Sequence, residues 1–168
     1  RLEAYRPFSI GRDETGSIIK LSLASLELSR ADIEAAAQET TLEVLLLGDT
    51  LTNDEDLKIL SVLPALKAIG LRETNVTDAG LTYLAAMPTL QEIYLGSTAV
   101  GNAGVEALAG LPSLTFLGLG GTQIDGRGIE IVTGIPTLEE LNLAMTDTDD
   151  ASLMTVVRAV NLRKLYLA

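Results

Sequence analysis

The side chains that most often carry out catalysis are scarce in this sequence of 168 residues. It contains no histidine and no cysteine, so it lacks the commonest general base, the commonest transition-metal ligand and the thiolate nucleophile. Two adjacent glutamates, Glu139 and Glu140, stand in a predicted strand. Because successive strand residues point to opposite faces, these carboxylates cannot form an acid–base pair. We therefore expect that the chain is not an enzyme.

Two short segments contain residue types that bind ions. Residues 147–150 (DTDD) supply several oxygens, as calcium requires, but EF-hand spacing is absent and Asp149 stands at a predicted helix N-cap. Residues 118–121 (GLGG) follow a predicted strand, as in phosphate-binding loops. However, Gln123 replaces the third glycine and the surroundings are acidic. We interpret the first segment as a solvated helix start and the second as the flat floor of a surface, and we expect no metal and no cofactor.

Threonine recurs with a fixed spacing of 24 residues, at Thr50, Thr74, Thr98, Thr122 and Thr146. A nucleophilic threonine needs a base beside it. Repetition in successive turns of the chain instead favours a structural role. We predict a ladder of buried hydroxyls that bond to the turn backbone.

The threonines belong to a repeat that runs through nearly the whole chain. Its first position is Leu42, Leu66, Leu90, Leu114, Leu138 and Leu162, and Ile18 extends the series by one step. Repeat positions 4 and 6 are apolar in every copy, which is the spacing of one strand face. Positions 16 and 19 are also apolar, which is the spacing of one helix face. A period of this length predicts a solenoid with one strand and one helix in each repeat.

Residues at the predicted helix ends agree with this assignment. Position 12 always carries a preferred N-cap residue, namely Ser29, Asn53, Thr77, Gly101, Asp125 and Asp149. Position 23 carries Pro64, Pro88, Pro112 and Pro136, where we expect proline to stop the helix and turn the chain to the next strand. The first and sixth repeats depart from the pattern, with Thr40 and Val160 in place of proline.

The strand motif LxxLxLxxT resembles that of leucine-rich repeat proteins, and it is present in residues 42–50, 66–74, 90–98, 114–122 and 138–146. Residues 76–81 (VTDAGL) are similar to a subtype common in bacterial, planctomycete-like proteins, which is related to ribonuclease-inhibitor and F-box-associated repeats. Residues 101–110 (GNAGVEALAG) are similar to GALA-type bacterial effectors. The resemblance implies an α/β fold, a leucine-rich repeat solenoid with parallel strands on the concave side and helices on the convex side.

The sequence divides into two parts. Residues 18–168 are predicted to form the solenoid, with six repeats and the first strand of a seventh. Residues 1–17 are predicted to form an N-terminal capping hairpin around a polar turn, with Tyr5 and Phe8 covering the apolar end. The alternative is an arm that binds a partner. The last strand leaves an open edge, so either the native chain continues or this edge pairs with another chain.

Charge and hydropathy limit the partners that we expect. The net charge is −11 and the isoelectric point is near 4.3, so the chain repels phosphate backbones and nucleic-acid binding is not expected. Such a charge would steer basic partners towards it. No stretch approaches the roughly 20 apolar residues of a membrane span. The sequence does not identify a compartment.

Strand positions 3, 5 and 7 point away from the predicted core, onto the concave face. Core packing does not require large apolar side chains there, and such side chains together on an exposed face mark contact surfaces. The candidate partner-binding residues are Leu46, Arg72, Glu92, Tyr94, Phe116, Asn142 and Tyr166. The alternative interpretation is a scatter of exposed residues, as every protein has.

The first functional hypothesis is a non-enzymatic module that binds a protein or peptide on the concave strand surface, where the net charge of the chain would favour a basic partner. The second is a substrate-recognition segment of a larger ligase adaptor or effector. The third is an architectural or self-assembling spacer, in which the C-terminal strand edge mediates self-association.

Overall fold

The computed structural model describes residues 10–157, 159 and 161–167, and within them strands alternate with helices. The strands are β1 (Ile10–Arg12), β2 (Ile18–Ser22), β3 (Val44–Leu46), β4 (Ala68–Gly70), β5 (Glu92–Tyr94), β6 (Phe116–Gly118), β7 (Glu140–Asn142) and β8 (Lys164–Tyr166). The helices are α1 (Arg30–Ala36), α2 (Asp54–Leu60), α3 (Asp78–Leu84), α4 (Asn102–Leu108), α5 (Gly126–Thr133) and α6 (Asp150–Val157).

All the described strands form one sheet in sequence order, from β1 to β8. Pairing from β2 to β8 is parallel, and each residue lies opposite the residue 24 positions later, as Leu45 lies opposite Ile69 and Ile69 opposite Ile93. The register therefore equals the sequence period. This order and direction confirm the predicted solenoid.

The core lies between the sheet and the row of helices. In the second repeat Leu45 and Leu47 enter it from the strand side, Leu57 and Leu60 enter it from α2, and all four are completely buried. The same positions are buried in the third, fourth and fifth repeats, as the spacing of apolar residues predicted. In the last repeats the prediction holds only in part, because Leu153 and Leu165 are half-buried and Leu167 is 45% exposed. Burial of each leucine contributes about 1.5–3 kcal/mol to stability, so the stack of leucines drives the fold.

The helix N-caps lie at the predicted residues. The Asn53 side chain accepts a hydrogen bond from the Glu55 N–H (3.0 Å), and Asp125 accepts one from the Arg127 N–H (2.8 Å). The helices end earlier than the prolines suggested, however. Helix α2 ends at Leu60, and a hydrogen-bonded turn, not Pro64 itself, stops it. The proline lies in the connection that leads to the next strand.

The predicted threonine ladder is present just after the strands. Each hydroxyl donates to the carbonyl oxygen three residues earlier, as Thr50 does to Leu47 (2.7 Å) and Thr98 to Leu95 (2.6 Å). The residue before each threonine has a left-handed backbone, which the sequence pattern did not predict because only Gly121 is a glycine there. The other residues with a positive φ at this position are Ser25, Asp49, Glu73, Ser97 and Met145.

Hydrogen bonds between repeats hold this unusual turn. The Asp49 N–H donates to the Arg72 carbonyl (2.8 Å), and the Glu73 N–H donates to the Gly96 carbonyl (2.9 Å). A left-handed conformation costs a residue other than glycine about 1–3 kcal/mol. The hydrogen bond that each of these N–H groups makes to the next repeat offsets that cost.

A second contact between repeats joins consecutive helix starts. The Asp78 carboxylate, at the beginning of α3, accepts a hydrogen bond from the N–H of Gly101, the N-cap of α4 (2.7 Å). This carboxylate occupies the space beside Gly104, where an added Cβ would lie 2.5 Å from Asp78 Oδ1. Asp54 and Gly80 form the same arrangement one repeat earlier. A Cβ at repeat position 15 would therefore displace such a side chain at position 13 of the previous repeat, and glycine avoids this conflict.

The N-terminal segment contains an antiparallel hairpin. Strand β1 pairs with β2, and the Asp13 carboxylate accepts hydrogen bonds from the Thr15 N–H (2.8 Å) and the Ser17 N–H (3.0 Å) in the connecting turn. Bonding to Thr15 and to this backbone lowers the pKa of Asp13. Tyr5 and Phe8, which we predicted to cover the apolar end, lie outside the described residues.

Candidate binding surface

An aromatic pair lies in the middle of the concave sheet surface. Tyr94 on β5 and Phe116 on β6 contact each other with ring centroids 4.6 Å apart and planes tilted by 33°. Gly118 has no side chain and so leaves room for the Phe116 ring, since a Cβ there would lie 3.2 Å from Phe116 Cε1. Tyr94 remains 36% exposed. The pair is thus an ordered aromatic surface that solvent or a partner can reach.

Glu92 orients the tyrosine. The Tyr94 hydroxyl donates a 2.7 Å hydrogen bond to Glu92 Oε2. Partial burial, this hydrogen bond and the negative charges of Glu92 and Glu140 raise the pKa of Tyr94 to about 12. The phenol therefore stays protonated at neutral pH, with its proton directed at Glu92.

An apolar depression lies beside the aromatic pair, towards the N-terminal repeats. It has a volume of about 550 Å³ and is open to solvent along the sheet. Ala68 and the neighbouring Gly70 are buried, and the Leu46 side chain lies over Gly70. The residues that line the depression are Lys20, Val44, Leu46, Lys67, Ala68, Gln91, Glu92 and Tyr94. Its floor is aliphatic and its rim is charged.

A second polar cluster lies near the other end of the sheet. Lys164 Nζ lies 2.6 Å from Glu140 Oε1, and the Tyr166 hydroxyl donates to Glu140 Oε2 at 3.4 Å. The hydrogen bond and the charge of Glu140 raise the pKa of Lys164. Tyr166 therefore belongs to this cluster and not to the aromatic pair.

The structure brings four of the seven candidate residues together, and the remaining three lie elsewhere on the sheet. Leu46, Glu92, Tyr94 and Phe116 surround or adjoin the depression. Arg72, by contrast, pairs with Glu73 through Nη2 and Oε1 at 2.9 Å. Asn142 Oδ1 accepts the N–H of Ala144 (2.9 Å) and so closes its own turn, and Tyr166 contacts Glu140.

Sequence reasoning missed several residues that line the depression. Lys20, Val44 and Ala68 at position 3, and Lys67 and Gln91 at position 2, were not among the candidates. The aligned repeats could have indicated Val44 and Ala68, because small and aliphatic residues stand at positions 3 and 5 of the neighbouring repeats next to Leu46.

The excess of negative over positive charge in the chain does not lie on this surface. On the strand positions that face the concave side, Lys20, Arg72 and Lys164 balance Glu92 and Glu140. Many of the carboxylates lie instead in the loops after the strands and in the first helical turns, where the positive end of the helix dipole favours them. They include Asp49, Asp54, Glu55, Asp56, Glu73, Asp78, Asp125, Asp147, Asp149 and Asp150.

The acidic residues that the sequence analysis considered for chemistry have protein partners. Asp149 Oδ1 accepts hydrogen bonds from the N–H and the hydroxyl of Ser152, and bonding to Ser152 lowers the pKa of Asp149. Glu139 pairs with Arg163, whereas Glu140 pairs with Lys164. Within the described part of the chain, no group of three or more acidic, histidine or cysteine side chains could hold a metal ion.

Solved structures with the same arrangement include bacterial and receptor proteins. Internalin C2 from Listeria monocytogenes aligns with 87% of this chain over 69% of its own length, with a TM-score of 0.64 and 22% identity. This chain folds as a leucine-rich repeat solenoid. A pollen receptor kinase 3 matches 95% of the chain and 77% of its own length, with a TM-score of 0.63 and 19% identity.

A second internalin from Listeria monocytogenes aligns with 86% of this chain over 52% of its own length, with a TM-score of 0.52 and 17% identity. A family model described as a leucine-rich repeat matches residues 86–109. A search of curated protein sequences finds no match. In the described residues, no helix has the length and apolar character needed to cross a membrane.

Proposed function

We propose that this leucine-rich repeat solenoid is a non-enzymatic module that binds a protein or peptide on its concave strand surface. The observation that supports the proposal is the contact between the partly exposed rings of Tyr94 and Phe116 at the middle of the sheet. Neither ring contributes to the buried core, and aromatic side chains at the centre of a surface are frequent hot spots of binding. Leu46 and Glu92 extend this surface on one side, and Arg72, Asn142 and Tyr166 would contact the more distant parts of a large partner.

Simultaneous replacement of Tyr94 and Phe116 by alanine tests the proposal. We expect the double variant to lose binding of peptides selected by the wild-type protein from a displayed random library. Its melting temperature should stay nearly unchanged, because both rings lie on the surface and their removal opens no core cavity.

The matched control replaces two exposed glutamates on the convex helices, Glu106 and Glu130, by alanine. This control should bind like the wild type. If the convex pair abolishes binding and the concave pair does not, the interaction face is the opposite one. If the protein selects no peptide and captures no partner, the spacer hypothesis takes first place.

We also propose that the repeats are of the bacterial, planctomycete-like subtype related to ribonuclease-inhibitor and F-box-associated repeats. The VTDAGL segment supports this assignment, since each of its polar positions has a role. Thr77 caps α3, Asp78 bonds to the next N-cap, and Gly80 leaves space for Asp54. If the full-length gene product carries a ligase or effector domain, the module is its substrate-recognition segment.

A further inference from the structure

Lys20 differs from seven other cationic residues of the described chain, which all form ion pairs. Its ammonium group has no carboxylate partner among the described residues, whereas a carboxylate lies within ion-pair distance of Arg30, Lys58, Lys67, Arg72, Arg127, Arg163 and Lys164. Its strand neighbours cannot neutralise it. Gly11 lies opposite on β1, and Val44 lies opposite on β3. In a chain with a net charge of −11, an uncompensated positive charge at the rim of an apolar depression is a recognition feature.

Lys20 and Glu92 stand at opposite ends of that depression. The strand register aligns Lys20, Val44, Ala68 and Glu92 in one row across four strands. At about 4.8 Å between strands, the Cα atoms of Lys20 and Glu92 are roughly 14 Å apart with the aliphatic floor between them. Glu92 uses one carboxylate oxygen to accept the Tyr94 hydroxyl, and its other oxygen accepts no hydrogen bond from the described residues.

An extended peptide matches this spacing. Residues i and i+4 of an extended chain are about 13 Å apart, and residues i, i+2 and i+4 point to the same side. We propose that the depression binds an extended segment with an acidic and a basic residue four positions apart and an aliphatic residue midway between them. The acidic side chain meets Lys20, the aliphatic one contacts Val44, Leu46 and Ala68, and the basic one meets Glu92.

This inference rests on the proposed function, since it names the partner class of the same surface. It also explains how an acidic protein can select an acidic group. Carboxylates elsewhere repel a negatively charged segment, so the acidic residue of the peptide is favoured only at Lys20. Charge complementarity at both ends then fixes the register, while the aliphatic side chain supplies affinity by burial.

Synthetic peptides with Glu-Ala-Leu-Ala-Lys, Glu-Ala-Leu-Ala-Glu and Lys-Ala-Leu-Ala-Lys cores test the inference by fluorescence anisotropy. The wild-type protein should bind the mixed-charge peptide about tenfold more tightly than either like-charge peptide. Lys20→Glu should transfer this preference to the doubly basic peptide, and Glu92→Lys should transfer it to the doubly acidic one. Replacement of the peptide leucine by serine should abolish binding to all three proteins.

Lys58→Glu is the matched control, because Lys58 is an exposed lysine on α2, outside the depression. It should leave the preference of the wild type unchanged. Undetectable binding of the mixed-charge peptide, or a preference that Lys20→Glu does not move, overturns the inference. In that case the proposed function still stands if library-selected peptides lose binding to the Tyr94–Phe116 double variant, and it fails too if they do not.

Discussion

Gly104→Ala should destabilise the protein through the contact between consecutive helix starts. The new Cβ would lie 2.5 Å from Asp78 Oδ1, 2.9 Å from Leu81 Cδ1 and 3.2 Å from Asp78 Cα. The Asp78 side chain has to move away, and its hydrogen bond to the Gly101 N–H (2.7 Å) is then lost. The change thus breaks a bond between repeats and crowds the backbone of α3.

The magnitude follows from three contributions. Loss of a hydrogen bond to a charged group costs about 1.5–3 kcal/mol, and crowding in a packed site costs about 1–3 kcal/mol. Alanine in place of glycine within a helix returns about 1 kcal/mol. We therefore expect Gly104→Ala to lower the free energy of unfolding by roughly 1.5–5 kcal/mol.

Urea denaturation followed by circular dichroism measures this loss, and a double-mutant cycle identifies its cause. Asp78→Ala removes the carboxylate first, so Gly104→Ala in that background should keep only the crowding against Leu81 and the α3 backbone, less the helix gain, about 0–2 kcal/mol. The sum of the two single losses should then exceed the double-mutant loss by about 1.5–3 kcal/mol, the contribution of the hydrogen bond. Gly110→Ala is the control, because nothing lies within 4 Å of a Cβ there. Additive effects of Asp78→Ala and Gly104→Ala would refute the reasoning.

The remaining predictions concern the core and the aromatic site. Leu95→Ala and Leu119→Ala should each cost about 2–5 kcal/mol in denaturant melts, because both leucines are completely buried. Glu106→Ala should stay within about 0.5 kcal/mol, and equal effects of all three would mean that the inside and outside assignments are wrong. Absorbance titration should show Tyr94 ionising at about pH 12, and Glu92→Gln should lower that pKa. Because the folded-state pKa of Tyr94 is raised, its contribution to stability is complete below the unfolded pKa near 10 and is lost as the pH rises through about 12; an unchanged titration in Glu92→Gln would contradict the role of this hydrogen bond.

The solenoid could be predicted from the sequence because its periods are local. Alternation at positions 4 and 6 identifies a strand face, and apolar residues at positions 16 and 19 identify a helix face, whatever the rest of the chain does. The N-caps Asn53 and Asp125 were predictable for the same reason, since a cap contacts only the next two or three residues. The proline positions were less informative, because a hydrogen-bonded turn ends α2 before Pro64 is reached.

The candidate site was only partly predictable. Alternation in the strands indicates which residues leave the core, and it correctly assigned Tyr94 and Phe116 to the concave surface. It does not show which neighbours contact each other. Arg72 turns to Glu73 and Asn142 bonds to Ala144, and these contacts depend on rotamers that periodicity does not specify.

The sequence by itself determined the repeat length, the order of strands and helices, the core and the threonine ladder, because all of these follow from residue spacing within one repeat. Only the tertiary structure decided the features that arise between repeats. The left-handed turns depend on a carbonyl in the next repeat, the glycine at position 15 depends on a carboxylate in the previous one, and the depression depends on how Leu46 and Tyr94 flank Gly70. Residues 24 positions apart in the chain lie about 4.8 Å apart in the sheet, and side chains acquire their partners and their exposure at that distance.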